Sequence, residues 1–319
     1  DTYYASEVDK YVILIPMLNK HIEHPEDTIL TGDLSVLDAL MTEGHLSLKI
    51  DGSPAIIWGK HPLTKKFFVG TKSVFNKKLI KVNYTHKDID NNHKGYVAII
   101  LHSCLSNLPK TDNIYQGDFL GFGGDNVFKP NTITYVFPEI VEQTILIAPH
   151  TRYFYDVDMI GGGEDNPLRE CVSLPLLHRL TDTLEVKFVQ SNSTYTIVSV
   201  EERIQFARQM AQLVDFAKES EAVLLKKRLN NCIKTGRSIT SDMFTGKIFN
   251  SKLVGLWLLV KDIKEEILST CENDSDMRAY LLDEECDGEG YVLSNVVGSY
   301  KFVYREQFSR QNFLTHQPE

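Results

Sequence analysis

The sequence predicts an α+β protein, and three observations carry that prediction. Apolar residues recur at helical spacing before residue 45 and again over 201–268. Between them, short alternating or apolar runs are punctuated by Gly, Asn and Pro, as in a β-rich domain. Two more strand signals, at 290–293 and 299–304, follow the helical stretch. Strands delayed in this way suggest one β-rich domain carrying a helical insertion.

Taken in order, residues 1–45 read as a helical N-terminal segment, with Val12, Leu14, Met17 and Leu18, then Val36, Leu37, Leu40 and Met41, as its apolar positions. His24-Pro25-Glu26-Asp27 and Thr31-Gly32-Asp33 interrupt it. Residues 46–200 form the predicted core, with strands at 55–58, 67–70, 115–122, 132–136, 145–147 and 153–157, one helix near 93–108 and a hairpin over 184–200. Gly161-Gly162-Gly163 marks a loop or boundary. Residues 201–285 read as the helical insertion, with helices at 201–232, 253–268 and 277–282, and residues 286–319 supply the final strands.

Composition excludes several classes. Hydrophobic residues at 42% and charged residues at 24% are ordinary for a globular chain. No apolar run approaches the ~18 residues of a membrane-spanning helix, and no secretory leader pattern opens the sequence, so the expectation is a cytoplasmic protein without a membrane partner. Cys104, Cys171, Cys232, Cys271 and Cys286 are scattered without a Cys-x-x-Cys pair, which argues against a zinc site or disulfide framework. The net charge of −9 argues against a uniformly basic coat. Its distribution is uneven, however. Residues 52–87 hold no Asp or Glu but eight lysines (Lys60, Lys65, Lys66, Lys72, Lys77, Lys78, Lys81 and Lys87), with Phe67, Phe68, Phe75 and Tyr84 among them. Such a lobe could hold a polyanion by phosphate contacts and base stacking, or be a solvated hairpin whose aromatics face the core.

The chemistry-bearing stretch is Lys49-Ile50-Asp51-Gly52. On a strand, Ser47, Lys49 and Asp51 share one face while Leu46, Leu48 and Ile50 share the other, so a lysine can look into a cleft above an apolar base. Four more elements follow. Gly70-Thr71-Lys72-Ser73 offers a cation and hydroxyls, and Tyr115-Gln116-Gly117-Asp118 places a carboxylate in a strand. Asp287-Gly288-Glu289-Gly290 sets an acid between glycines, and Tyr300-Lys301-Phe302-Val303-Tyr304-Arg305 alternates, with Lys301, Val303 and Arg305 on one face. Each has a plainer reading: Glu289 as a turn acid, Asp118 as the cap of a bend, Lys301 as a solvated edge-strand lysine.

In this order the elements resemble the covalent nucleotidyltransferase superfamily of ATP-dependent RNA and DNA ligases and mRNA-capping enzymes. The resemblance implies an ATP-grasp-like ligase catalytic fold, with antiparallel sheets around a nucleotide cleft. It casts Lys49 as the nucleophile toward ATP, with Leu48, Asp51 and Gly52 beside the nucleotide. Thr71 and Lys72 would contact the nucleotide or an end phosphate, and Asp118 the ribose. Within Tyr153-Phe154-Tyr155-Asp156, Phe154 or Tyr155 would stack on the purine. Glu289, with Asp118, would hold Mg²⁺ or Mn²⁺, and Lys301 would contact the α-phosphate. Residues 24–27, 49–55, 68–72, 115–118 and 129–132 are similar to RNA-ligase-like proteins of large tailed phages. The implied activity is transfer of AMP from a lysyl-AMP to a 5′-phosphorylated polynucleotide, RNA ahead of DNA. The alternatives are a non-ligating nucleotide- or nucleic-acid-binding protein of the same fold, and a DNA ligase-like enzyme or transfer to another acceptor. Three departures stand out. Ser47 replaces a frequent acid, Val303 a frequent second lysine for which Arg305 would compensate, and the residues after Arg305 leave no room for an OB domain.

Overall fold

A computed structural model describes residues 21–155, 165–197, 200–243 and 251–309. Its strands are, in chain order, β1 (His45–Leu48), β2 (Ala55–Lys60), β3 (Phe67–Gly70), β4 (Ile114–Phe122), β5 (Val127–Phe128), β6 (Thr134–Val136) and β7 (Ile145–Phe154). There follow β8 (Val172–Pro175), β9 (Val186–Phe188), β10 (Ser193–Thr194), β11 (Glu272–Asn273), β12 (Arg278–Leu281), β13 (Glu284–Cys286), β14 (Tyr291–Ser294) and β15 (Ser299–Phe302). The α-helices are α1 (Pro25–Thr28), α2 (Ser35–Ala39), α3 (His86–Asn92), α4 (Gly95–Asn107), α5 (Glu201–Ala211), α6 (Glu219–Lys234) and α7 (Ser251–Leu268). The protein is α+β, with predominantly antiparallel sheets.

The chain divides into two compact units. One comprises Ile50–Gln190 with Asp276–Tyr280; the other comprises His21–Lys49, Ser191–Ser275 and the residues from Leu281 onward. This partition differs from the one expected from sequence. The helices of 201–268 share a unit with residues 21–49 and the last strands, and do not stand apart as an insertion.

The first unit is built on a sheet of order β3-β2-β4-β7-β8, with β9 parallel to β7. Both faces of β2 are covered, which is why Ala55-Ile56-Ile57-Trp58 reads as a continuous apolar run. Ile56 and Trp58 pack with Ile100, Leu101 and Cys104 of α4, while Ile57 faces a second cluster with Phe68, Tyr153 and Leu168. In the second unit β14 lies between β1 and β15. Helix α7 buries Leu253, Leu256, Trp257, Val260, Ile263, Lys264 and Ile267, a helical stripe that joins Leu37, Leu229, Leu293 and Phe302 in one core.

Several expectations required correction. Among the described residues, 184–200 does not form the expected hairpin: β9 runs parallel to β7, and β10 pairs with β11. The stretch 277–282, read as helical, contains β12, which pairs with β6. Residues 201–232 hold two helices, α5 and α6. The apolar positions Val12 to Leu18 and the glycines 161–163 lie outside the described residues.

Candidate active site

Strand pairing in the second unit brings distant residues together. Leu46, Leu293 and Tyr300 align across β1, β14 and β15 and point into the core. The next row, Ser47, Val292 and Lys301, therefore occupies the opposite face. β1 ends at Leu48, which packs against the core cluster, but the ladder continues one step: the Lys49 N–H donates to the Gly290 carbonyl at 2.8 Å. By alternation, Lys49 lies on the Ser47 and Lys301 face.

Glu289 is set by its flanking glycines. Gly288 has φ 74° and Gly290 φ 114°, and a Cβ on Gly290 would lie 2.6 Å from the Phe302 carbonyl oxygen. The turn directs the Glu289 carboxylate onto the Lys49 ammonium, forming an ion pair between residues 240 apart in sequence. Burial first, and the Lys49 charge second, push the Lys301 ammonium below the usual lysine value. The Lys301 backbone N–H donates to the Glu23 carbonyl at 2.9 Å, which fixes β15 from its outer edge. Two lysines and one carboxylate thus share a partly buried face, with a net positive charge suited to an anionic ligand.

Arg305 does not continue the β15 alternation. The strand stops at Phe302, and Arg305 begins a helical turn, only 2% exposed. Its guanidinium donates to Glu26 Oε1 at 3.1 Å and Asp27 Oδ1 at 3.0 Å, pairs with Asn230, and lies 5.5 Å from the Trp257 ring. Lys264 also reaches Glu26, at 2.8 Å. Arg305 is therefore a buried structural cation, and its expected place on the Lys301 face is corrected. Val303 is buried as well, at 4% exposure.

The buried acids respond in opposite directions. Burial alone would raise Glu26, but Lys264 and Arg305 outweigh it and hold Glu26 down to about 2. Asp27, facing Arg305 but also the Glu26 charge, is pushed up by burial. His24 is lowered to about 2 from 6.5 by burial and then by Arg305, so it stays neutral. An unfolded chain would protonate His24 below pH 6.5 and Glu26 below pH 4.5, whereas the folded one resists both down to about pH 2. Stability is accordingly expected to fall on acidification from pH 6.5, with His24 contributing no more than about 1.4 kcal/mol per pH unit. His24→Gln should flatten the pH 6.5–4.5 part of a thermal-unfolding profile; an unchanged slope would contradict this assignment.

The remaining expected residues belong to the first unit. The Asp51 N–H donates to the Tyr135 hydroxyl at 2.7 Å, and its carboxylate accepts from Asn131 at 3.3 Å. Gly52 lies against β4: an added Cβ would be 2.8 Å from both the Asp118 Cβ and the Phe119 carbonyl oxygen. Asp118 pairs with Ala55 across the sheet and has His150 Nε2 3.7 Å from its carboxylate. Thr71 caps the turn Lys72–Phe75, accepting from the Ser73 N–H, and Lys72 is exposed on that turn. Ile57 pairs with Gly70 and Ala55 with Asp118, so Gly52, Asp118, Thr71 and Lys72 gather toward the same end of β2.

The aromatic pair does not join them. Tyr153 pairs with Ile114, which pairs with Gly59 at the far end of β2, whereas Asp118 pairs with Ala148. Phe154 thus stands about 20 Å along β7 from the level of Asp118, at ~3.3 Å per residue. Tyr155 packs against the cluster of Phe68, Tyr153 and Leu168. The two aromatics are corrected out of a set centred on Asp118. Sequence reasoning missed His150, Tyr135 and Glu23. A lone His, a lone Tyr and a backbone carbonyl leave no spacing signal; of the group that holds Asp51, only Asn131 fell within a phrase singled out above.

The chain matches the family described as "Family of unknown function (DUF6267)" over residues 19–255 and 246–317. No curated protein and no solved structure matches it.

Proposed function

We propose that this chain, which belongs to the DUF6267 family of unknown function, is a nucleotidyltransferase in which Lys49 takes up a nucleotide covalently. The observation that carries the reading is the convergence of Lys49, Glu289 and Lys301 on one face of the β1-β14-β15 sheet. These are the nucleophile, acid and second cation of the superfamily that the sequence resembles, separated by most of the chain. The α+β fold with antiparallel sheets is compatible with that superfamily's ligase catalytic domain.

The chemistry follows from the groups present. Attack needs a neutral amine, and the Glu289 carboxylate, already in contact with Lys49, is placed to accept the proton. Lys49 Nζ bonds to the α-phosphorus of ATP, the bond from that phosphorus to the bridging oxygen breaks, and pyrophosphate leaves with the electron pair. Lys301 stabilises the charge that builds on the α-phosphate oxygens. Glu289 offers one hard oxygen ligand to Mg²⁺ or Mn²⁺. Among the described residues no cluster of three or more acidic, His or Cys side chains completes a site, so the remaining ligands would be phosphate oxygens and water. Such an ion would neutralise charge on the leaving phosphates. The acceptor of the nucleotide is proposed to be a 5′-phosphorylated polynucleotide, RNA ahead of DNA.

A second reading, a nucleotide-binding protein of this fold that does not transfer, is favoured by one observation: the Lys49 amine is already engaged by the Glu289 carboxylate. One experiment separates the two. Incubation with α-labelled ATP, or GTP in parallel, and Mg²⁺ is expected to yield labelled protein that pyrophosphate discharges. Nucleotide retention without covalent label would favour the second reading.

A further inference from the structure

The lysine-rich stretch 52–87 resolves into two populations of side chains. Its aromatics turn toward the core: Phe68 is fully buried, and the half-buried Phe67, Phe75 and Tyr84 pack against the two clusters that cover the sheet. Of the two readings of these rings, base stacking or packing on the core, the contacts favour packing. Its cations are mostly outside, with Lys60 and Lys81 half-buried. Lys65, Lys66, Lys72, Lys77, Lys78 and Lys87 are exposed, and among the described residues none has a carboxylate within ion-pair distance, whereas Lys60 pairs with Asp112 at 2.7 Å.

The loop after Phe75 is the most pronounced part. Residues 76–80 are all exposed, and Leu79, at 83% exposure, stands between Lys78 and the Ile80-Lys81 pair. Leu79 has φ 54°, a left-handed conformation uncommon for a residue with a bulky side chain. The feet of the loop are fastened. Asn166, 4% exposed, donates to the carbonyls of Val74 at 2.8 Å and Asn76 at 3.0 Å. The Lys81 N–H donates to Ser73 O at 3.4 Å, and Val69 and Asn83 exchange backbone bonds at 3.0 and 3.1 Å. A fastened loop with a cationic shoulder on each side of an apolar tip is presented for contact.

We infer that the Lys77–Lys81 loop (residues 77–81) docks single-stranded nucleic acid, its lysines on backbone phosphates and Leu79 against unstacked bases. A lipid surface fits less well, because membrane-facing loops present Trp and Tyr at the interface and residues 76–81 hold neither. The inference stands on this surface and shares with the proposed function only the class of acceptor.

The test uses the full chain and a fluorescent, 5′-phosphorylated single-stranded RNA of about 16 nucleotides. Anisotropy titrations across a KCl series give the salt slope. The variant combining Lys77→Gln, Lys78→Gln and Lys81→Gln is expected to bind more weakly, with a slope reduced by about two, at ~0.7 per lysine on single strands. Leu79→Ala is expected to weaken binding several-fold and leave the slope unchanged. Both should keep the wild-type thermal midpoint and self-labelling by ATP without RNA, so the outcome is independent of whether Lys49 reacts. No RNA binding by the wild type, an unchanged slope in the triple variant, or binding to phosphatidylserine vesicles but not to RNA would each overturn the inference.

Discussion

Arg305→Met is expected to destabilise the protein by about 3–5 kcal/mol, as judged by chemical denaturation, because it strands buried carboxylates. Glu26 is fully buried and Asp27 is 6% exposed, and both accept from the Arg305 guanidinium. Glu26 would retain Lys264, and Asp27 would retain the Trp257 indole N–H at 2.9 Å. A hydrogen bond from a neutral donor does not balance a buried charge, so Asp27 is the more exposed to the loss. Adding Asp27→Asn should therefore recover part of the lost stability, a coupling that a double-mutant cycle measures. A loss below about 1 kcal/mol in the single variant would mean that water or a rearranged partner satisfies these acids. Arg305 thus serves the site indirectly: it ties the helical turn after β15 to the segment that carries Glu23, whose carbonyl holds Lys301.

Lys301→Met is expected to move activity and stability in opposite directions. Removing a cation from the developing charge on the α-phosphate should slow nucleotide uptake by about 10²–10³-fold. The folded state also disfavours the Lys301 ammonium, by burial and by the Lys49 charge. For a lysine whose folded pKa is lowered, the penalty is present at neutral pH and shrinks as pH rises from the folded value toward 10.5. Met keeps the stem and removes the charge, so a gain in stability at pH 7 is expected, and it should diminish at high pH. Slower labelling with no change or a loss in stability would indicate that Lys301 is held by contacts that compensate its burial.

Much of this was legible in sequence because it rests on short-range patterns. Alternation over 45–51 and 299–304 located β1 and β15, and glycines flanking an acid located the turn before β14. What failed did so for physical reasons. The run Met277-Arg278-Ala279-Tyr280-Leu281-Leu282 is too short for its period to separate helix from strand, and its pairing partner in β6 lies far back in the chain. Pro149 split β7 into two apparent strands, since proline cannot donate to a ladder. The structure accommodates it opposite Gly117, where the register of β4 shifts. Arg305 was misplaced by extending an alternation past its end, and its partners Glu26 and Asp27 are 279 and 278 residues away. The aromatics of 52–87 could not be assigned inside or outside from composition. The two-sided burial of the first unit's sheet decided it.

The central claim is that Lys49 Nζ becomes the phosphoramide nitrogen. Peptide mapping by mass spectrometry, after incubation with ATP and Mg²⁺, tests it at the level of the atom. The expected result is a nucleotide adduct on the peptide containing Lys49, acid-labile, discharged by pyrophosphate and absent from Lys49→Ala. An adduct on another residue, or one undiminished in Lys49→Ala, would contradict it.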